Sequence, residues 1–194
     1  QYNKDYNKAL NIPDLSNFVE GKGKSIDIEV QDYSACPRYT GVLLENIQVG
    51  QSPDWMKSRL EAIGVRSINN IVDITNFVLH ETGQPLHAFD ADKIEKEIVV
   101  KTCSNKTAFT TLDGTVRELV EEDLMICDTE KPLCIEGIFG GLDSGVSEET
   151  TSVFLESAYF DPVSIRKTAK RHALNTDASF RFERGIDPEI GIIA

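Results

Sequence analysis

The chain has 194 residues, 40% of them hydrophobic and 27% charged, the composition of a globular domain and not of a disordered segment. Twenty Lys and Arg against 32 Asp and Glu leave a net charge of −12, which excludes a module that binds nucleic acid by neutralising phosphates along its length. No apolar run approaches the roughly 18 residues of a membrane span, and no secretory leader is visible, so the expectation is a cytoplasmic protein with no membrane partner.

Residues 1 to about 25 are polar and broken by Pro13, Gly21 and Gly23. They read, with the residues up to 32, as a linker or arm arriving from a preceding domain. Within it Ile26, Ile28 and Val30 alternate with charged residues, the pattern of a half-buried strand. Arg38 to Val49 is rich in branched residues and predicts a second strand. Ser52-Pro53-Asp54 predicts a helix start with Ser52 as cap and Pro53 at the first helical position. Met56, Leu60 and Ile63 then share a face, and Gly64 stops the helix.

A second helix is expected over about 70–81, with Ile71, Ile74, Thr75 and Val78 on one side and Gly83 just beyond. GQPLHAFD at 83–90 places His87 after a rigid Gly/Pro turn, which holds its imidazole at a cleft edge. Strands follow at 98–100, 108–112, 124–127, 132–139 and 152–157, with Asp113-Gly114 as a hairpin turn. Asp161-Pro162 caps a third helix through about Ala173. The order predicts an α+β fold, with largely antiparallel sheets forming a sandwich-like core flanked by about three helices. Residues 33–190 form one compact module in this reading, and 191–194 begin a following segment. Gln1 in place of Met, and the apolar tail Ile190, Ile192 and Ile193, read as cuts in a longer protein.

Several chemistries find no motif. There is no phosphate-binding G-x-x-x-x-G-K-[ST] loop, no G-x-S-x-G elbow and no H-E-x-x-H pair. Cys36, Cys103, Cys127 and Cys134 include no CxxC spacing, so they are expected as reduced, mostly buried thiols. His80 and His87 lack the close Cys or carboxylate pattern of a metal site, and no metal is expected. Gly137, Gly140 and Gly141 follow an apolar strand and read either as a plain turn or as backbone N–H groups open to a substrate. Glu156 interrupts the apolar strand VFLESA at 153–158. If alternation holds, it shares the face of Phe154, and a buried carboxylate needs either a salt bridge or a ligand's donor. Charge is also uneven: between 162 and 184 six basic residues face two acids, leaving 14 basic against 30 acidic, or −16, elsewhere. That segment reads as a solvated helix face or as a small patch for the end of a nucleic acid.

Four blocks carry a resemblance: RSINNIVDITN at 66–76, GQPLHAFD at 83–90, FDPVSIRKTAKRH at 160–172 and SFRFERGID at 179–187. In order and register they closely resemble the editing module of the beta chain of bacterial phenylalanyl-tRNA synthetase. The resemblance runs from about Tyr39 to the end. It implies hydrolysis of misacylated Tyr-tRNA(Phe), with His87, Thr75, Asn76 and Gly137 as catalytic residues and Glu156, Thr176, Ala178 and Arg66 binding substrate. It also implies the 3′ end of tRNA(Phe), the alpha chain and the remaining beta-chain domains as partners, with Arg166, Lys170, Arg171 and Arg181 as tRNA contacts. No cofactor is expected in this domain; ATP and Mg would serve the whole enzyme elsewhere. The alternative is a tRNA-end-binding or scaffolding module of the same enzyme without catalysis. A general ester hydrolase lacks a nucleophile in this sequence.

Overall fold

The computed structural model describes residues 15–19, 21–192 and 194. In chain order the strands are β1 (Asp27–Val30), β2 (Arg38–Glu45), β3 (Leu86–Asp90), β4 (Glu97–Thr102), β5 (Ala108–Thr110), β6 (Val116–Glu118), β7 (Leu124–Cys127), β8 (Pro132–Ile135), β9 (Phe139–Gly140) and β10 (Ser152–Tyr159). The helices are α1 (Asp54–Ala62), α2 (Asn70–Thr82), α3 (Pro162–Arg171) and α4 (Asp177–Phe182). One sheet has the order β1-β4-β7-β8-β9, a second β2-β10-β3, and β5-β6 is a separate hairpin. Ile98, Val100, Met125 and Ile135 from the first sheet and Phe89, Phe154 and Ala158 from the second share one apolar cluster. The fold is α+β with largely antiparallel sheets, as expected.

Several local expectations are corrected. The helices expected are joined among the described residues by a short fourth, α4, only six residues long and too short for a periodic apolar face to announce it. The strand expected at Ile26–Val30 is β1, and its pairing with β4 is parallel; residues 1–14 and 20 of the expected 1–32 arm lie outside the described residues. The run 132–139 is two strands, β8 and β9, because Gly137 adopts φ +53° between them. Residues 86–90, given no element in the sequence reading, form β3 directly after the Gly83–Pro85 turn. Ile63 and Ile74 are exposed, whereas Leu79 is the buried apolar anchor of α2.

Ser52 does not cap α1; Pro53 occupies that position with no side-chain bond. The Ser52 hydroxyl instead donates to Asp73 at 2.5 Å. Asp73 also accepts from the Ser67 hydroxyl and the Ile68 N–H. One buried carboxylate therefore ties two loops to the first turn of α2, which is itself capped by Asn69 accepting from Val72 N–H. This clamp matters because α2 carries Thr75 and Asn76 one turn further on.

Candidate active site

β10 lies between β2 and β3, so Glu156 pairs with Gly41 on one side and His87 on the other. Alternation along β10 buries Phe154, Glu156 and Ala158 on one face, as the sequence pattern requires. Gly41 is needed beside them: a Cβ there would come within 2.1 Å of the Phe154 ring. The absence of a side chain at that position leaves Phe154 its place and Glu156 an open flank.

Glu156 is 4% exposed and has no cationic partner among the described residues. Its Oε2 accepts a 2.6 Å hydrogen bond from the Tyr39 hydroxyl on β2. Burial raises the carboxyl from its ordinary 4.5 to about 7, against the lowering influence of the Tyr39 bond. Burial and the neighbouring carboxylate hold the Tyr39 phenol well above its ordinary value, so it remains a donor. This leaves Oε1 as the free acceptor at a cavity of about 360 Å³, a size that suits a small-molecule site.

Thr75, Asn76, His87, Gly137, Glu156, Thr176 and Ala178 all line that cavity, with Leu79, Ile138 and Phe182 among its apolar walls. Seven of the eight residues expected to bind or act on substrate are thus brought together. Arg66 is exposed in the loop between α1 and α2 and is not part of the lining.

The polar atoms at this cavity differ in what they have left to offer. Thr75 donates its hydroxyl proton to the Val72 carbonyl at 2.8 Å, so towards a ligand it accepts. The Asn76 side-chain amide makes no hydrogen bond to a described residue and offers both donor and acceptor. His87 Nε2 is buried with no partner, and burial lowers the imidazole to about 4. Its ring lies edge-on to Phe89 with centroids 4.4 Å apart. A Cβ at position 140 would come within 2.9 Å of His87, so glycine there lets the ring approach the β9 backbone. A neutral imidazole in this setting is a poor proton acceptor from water but a good positioning group.

Gly137 has two reasons to be glycine. Its φ of +53° falls in the left-handed region, and a Cβ would meet the Phe182 ring at 2.6 Å. Its N–H donates to no described residue, the condition for a backbone donor that stabilises developing negative charge. Thr176 is spent structurally: its hydroxyl accepts from Ser179 N–H, completing a capping box, and donates to the Ile138 carbonyl at 3.0 Å. It thereby fastens α4 to the β8–β9 turn and sets Ala178 on the cavity wall.

The expected tRNA contacts are more dispersed. Lys170 and Arg166 are exposed on α3, the latter donating to the Glu183 carbonyl. The Arg171 guanidinium is engaged by Asp123 and Glu122, and the same Asp123 holds His172 at 2.8 Å. Arg181 stands on α4, facing His80 of α2. Sequence reasoning missed Tyr39 altogether. Its one visible signal is an i, i+2 relation to Gly41, which becomes informative only once β2 is registered against β10.

Residues 35–194 match the B3/4 domain family, and the chain belongs to that family. It is 57% identical over 186 residues to the phenylalanine-tRNA ligase beta subunit of Bacteroides fragilis, covering 95% of this chain and 23% of that one. The beta subunit of Porphyromonas gingivalis is 56% identical over 182 residues, covering 93% and 22%. This chain therefore spans less than a quarter of the length of these relatives. An N-terminal fragment of the phenylalanyl-tRNA synthetase beta-subunit from Pyrococcus horikoshii shares the fold, with a TM-score of 0.50 at 16% identity over 79% of this chain and 51% of that one. The resemblance carried by the four sequence blocks is thus borne out.

Proposed function

We propose that this domain hydrolyses the ester of tyrosine misplaced on tRNA(Phe), as the editing site of a cytoplasmic phenylalanine-tRNA ligase. In that setting its partners are the tRNA 3′ end, the alpha chain and the rest of the beta chain, and it works without a cofactor of its own. The observation that carries the reading is the Glu156 carboxylate, buried with no cationic partner among the described residues at a cavity whose walls include Leu79, Ile138 and Phe182. A tyrosine side chain entering it brings a phenol to Oε1, whereas phenylalanine leaves that acceptor dry and unpaired.

The energetics explain why such a second site is useful. An apolar pocket that selects phenylalanine rejects an added hydroxyl by only about a hundredfold, while a site built to bond a hydroxyl rejects its absence by roughly ten-thousandfold or more. A charge-assisted bond from phenol to carboxylate supplies that opposite bias.

The hydrolytic step needs little from the protein, because an aminoacyl ester is already activated. Water attacks the ester carbonyl, the carbonyl oxygen becomes an oxyanion facing the Gly137 N–H, and the ribose oxygen departs with a proton. Asn76 and neutral His87 position the water and the terminal ribose, and Thr75 accepts a hydrogen bond from one of them. With His87 held at about 4, the proton is relayed by the neighbouring hydroxyl of the terminal adenosine and not by the imidazole. Deacylation of Tyr-tRNA(Phe) and Phe-tRNA(Phe) by the complete ligase tests the reading. Release of tyrosine well ahead of phenylalanine is expected, and no release of either would leave only a binding or scaffolding role.

A further inference from the structure

A second hollow borders the same two helices. α2 lines the first with Thr75, Asn76 and Leu79 and the second with Thr82 and Gly83; α4 lines the first with Ala178 and Phe182 and the second with Phe180 and Arg181. The second hollow has a volume of about 280 Å³; on α2 it begins beyond Leu79, and on α4 its residues interleave with those of the first.

Its cations are not fully used. Arg181 has no carboxylate within ion-pair distance among the described residues. Its Nε is buried with no partner, and its Nη2 meets only His80 Nδ1, at a long 3.4 Å. The C-terminal end of α2 contributes a fraction of a negative charge nearby, too little to neutralise a guanidinium. Arg184 does have an acid, Glu183, at 2.5 Å, but its planar group lies 3.4 Å from the centroid of the Phe180 ring. Phe180 is itself 43% exposed. An aromatic ring stacked on a guanidinium beside an unpaired cation is the combination that takes single-stranded nucleic acid: a flat surface for a base and a charge for a phosphodiester.

We infer that the hollow between the C-terminal turns of α2 and α4 is a nucleotide subsite that holds the single-stranded residues next to the terminal adenosine, Arg181 on a phosphodiester and the Phe180–Arg184 pair under a base. This rests on the editing reading, since it places the ester in the neighbouring cavity. It also explains how a domain of net charge −12 engages a polyanion: it touches one phosphate at the end of a strand and avoids the rest.

The test is made in the complete ligase carrying Arg181→Met, which keeps the apolar stem, with Arg181→Lys as the charge-restoring control. Two substrates are compared, Tyr-tRNA(Phe) and 3′-O-tyrosyl-adenosine, which has no phosphate. Arg181→Met is expected to raise KM for the tRNA roughly tenfold, as loss of one charged contact does. It should also flatten the dependence of log kcat/KM on log salt by about 0.7, the single-strand value for one phosphate. The nucleoside ester should be cleaved as by wild type, and Arg181→Lys should recover most of the salt slope. An unchanged KM and slope, or equal losses on both substrates, would overturn the subsite. If wild type cleaves neither substrate, the editing reading fails by itself. Binding of a 5′-phosphorylated CCA trinucleotide then decides the subsite separately: weaker binding to Arg181→Met supports it, and equal binding removes it.

Discussion

The Tyr39 phenol donates to Glu156 across the β2–β10 pair at 2.6 Å, so the domain keeps inside itself a copy of the group it is proposed to select. The internal phenol occupies one carboxylate oxygen and holds the acid near neutrality, leaving the other oxygen to report on what enters the cavity. Tyr39→Phe removes that donor while preserving the ring. With its lowering influence gone, the carboxyl should titrate above its present value of about 7. The pH at which tyrosine ester cleavage is half-maximal should move up by about one unit, the scale of a single hydrogen bond. A pH profile for Tyr-tRNA(Phe) cleavage by wild type and variant measures it.

Stability should carry the mark of the same acid. Its folded value of about 7 lies above the ordinary 4.5, so between those pH values the folded state binds more protons than the unfolded one. Stability is therefore lost as pH rises from 4.5 to 7 and is level beyond. Glu156→Gln removes this penalty, which amounts to at most ~3 kcal/mol. Urea unfolding at pH 5 and pH 8 should show the variant gaining on wild type only at the higher pH. His87, lowered to about 4, adds the opposite slope below 6.5, equally in both proteins, and cancels in the comparison.

Ala178 sits half-buried on the cavity wall, on a helix whose start is fixed by the Thr176–Ser179 capping box. Ala178→Trp should fill the space where the aromatic side chain enters. Loss of Tyr-tRNA(Phe) cleavage by at least about a hundredfold, the effect of misplacing a reactant, is expected with an unchanged circular dichroism spectrum.

His87→Ala should lower kcat by roughly ten- to a hundredfold through loss of positioning. It should leave the shape of the pH profile between 6 and 8 intact, because an imidazole at about 4 does not titrate there. A profile that loses its inflection on removing His87 would make the imidazole the proton acceptor.

The burial of Glu156 was legible because it interrupts an apolar strand, and α2 was legible from the spacing of Ile71, Ile74, Thr75 and Val78 and its Gly83 stop. What could not be read depended on long-range register. Tyr39 meets Glu156 across 117 residues of sequence, and no local pattern in β2 specifies that meeting. That His87 follows a Gly/Pro turn was legible from Gly83 and Pro85; that it lies inside a strand paired with β10 was not, because that pairing is long-range. Thr176 and Ala178 came from the resemblance alone, since a six-residue helix offers no period. Arg171 looked available in a basic run, but the buried Asp123 that engages it lies 48 residues away.

The most direct measurement is the ratio of tyrosine to phenylalanine release from tRNA(Phe) by Glu156→Ala in the complete ligase. Loss of the phenol's acceptor should collapse the preference by two orders of magnitude or more, with phenylalanine cleavage retained or raised as the desolvated charge disappears. A variant that keeps the wild-type ratio, however slow, would contradict recognition of the tyrosine hydroxyl by this carboxylate.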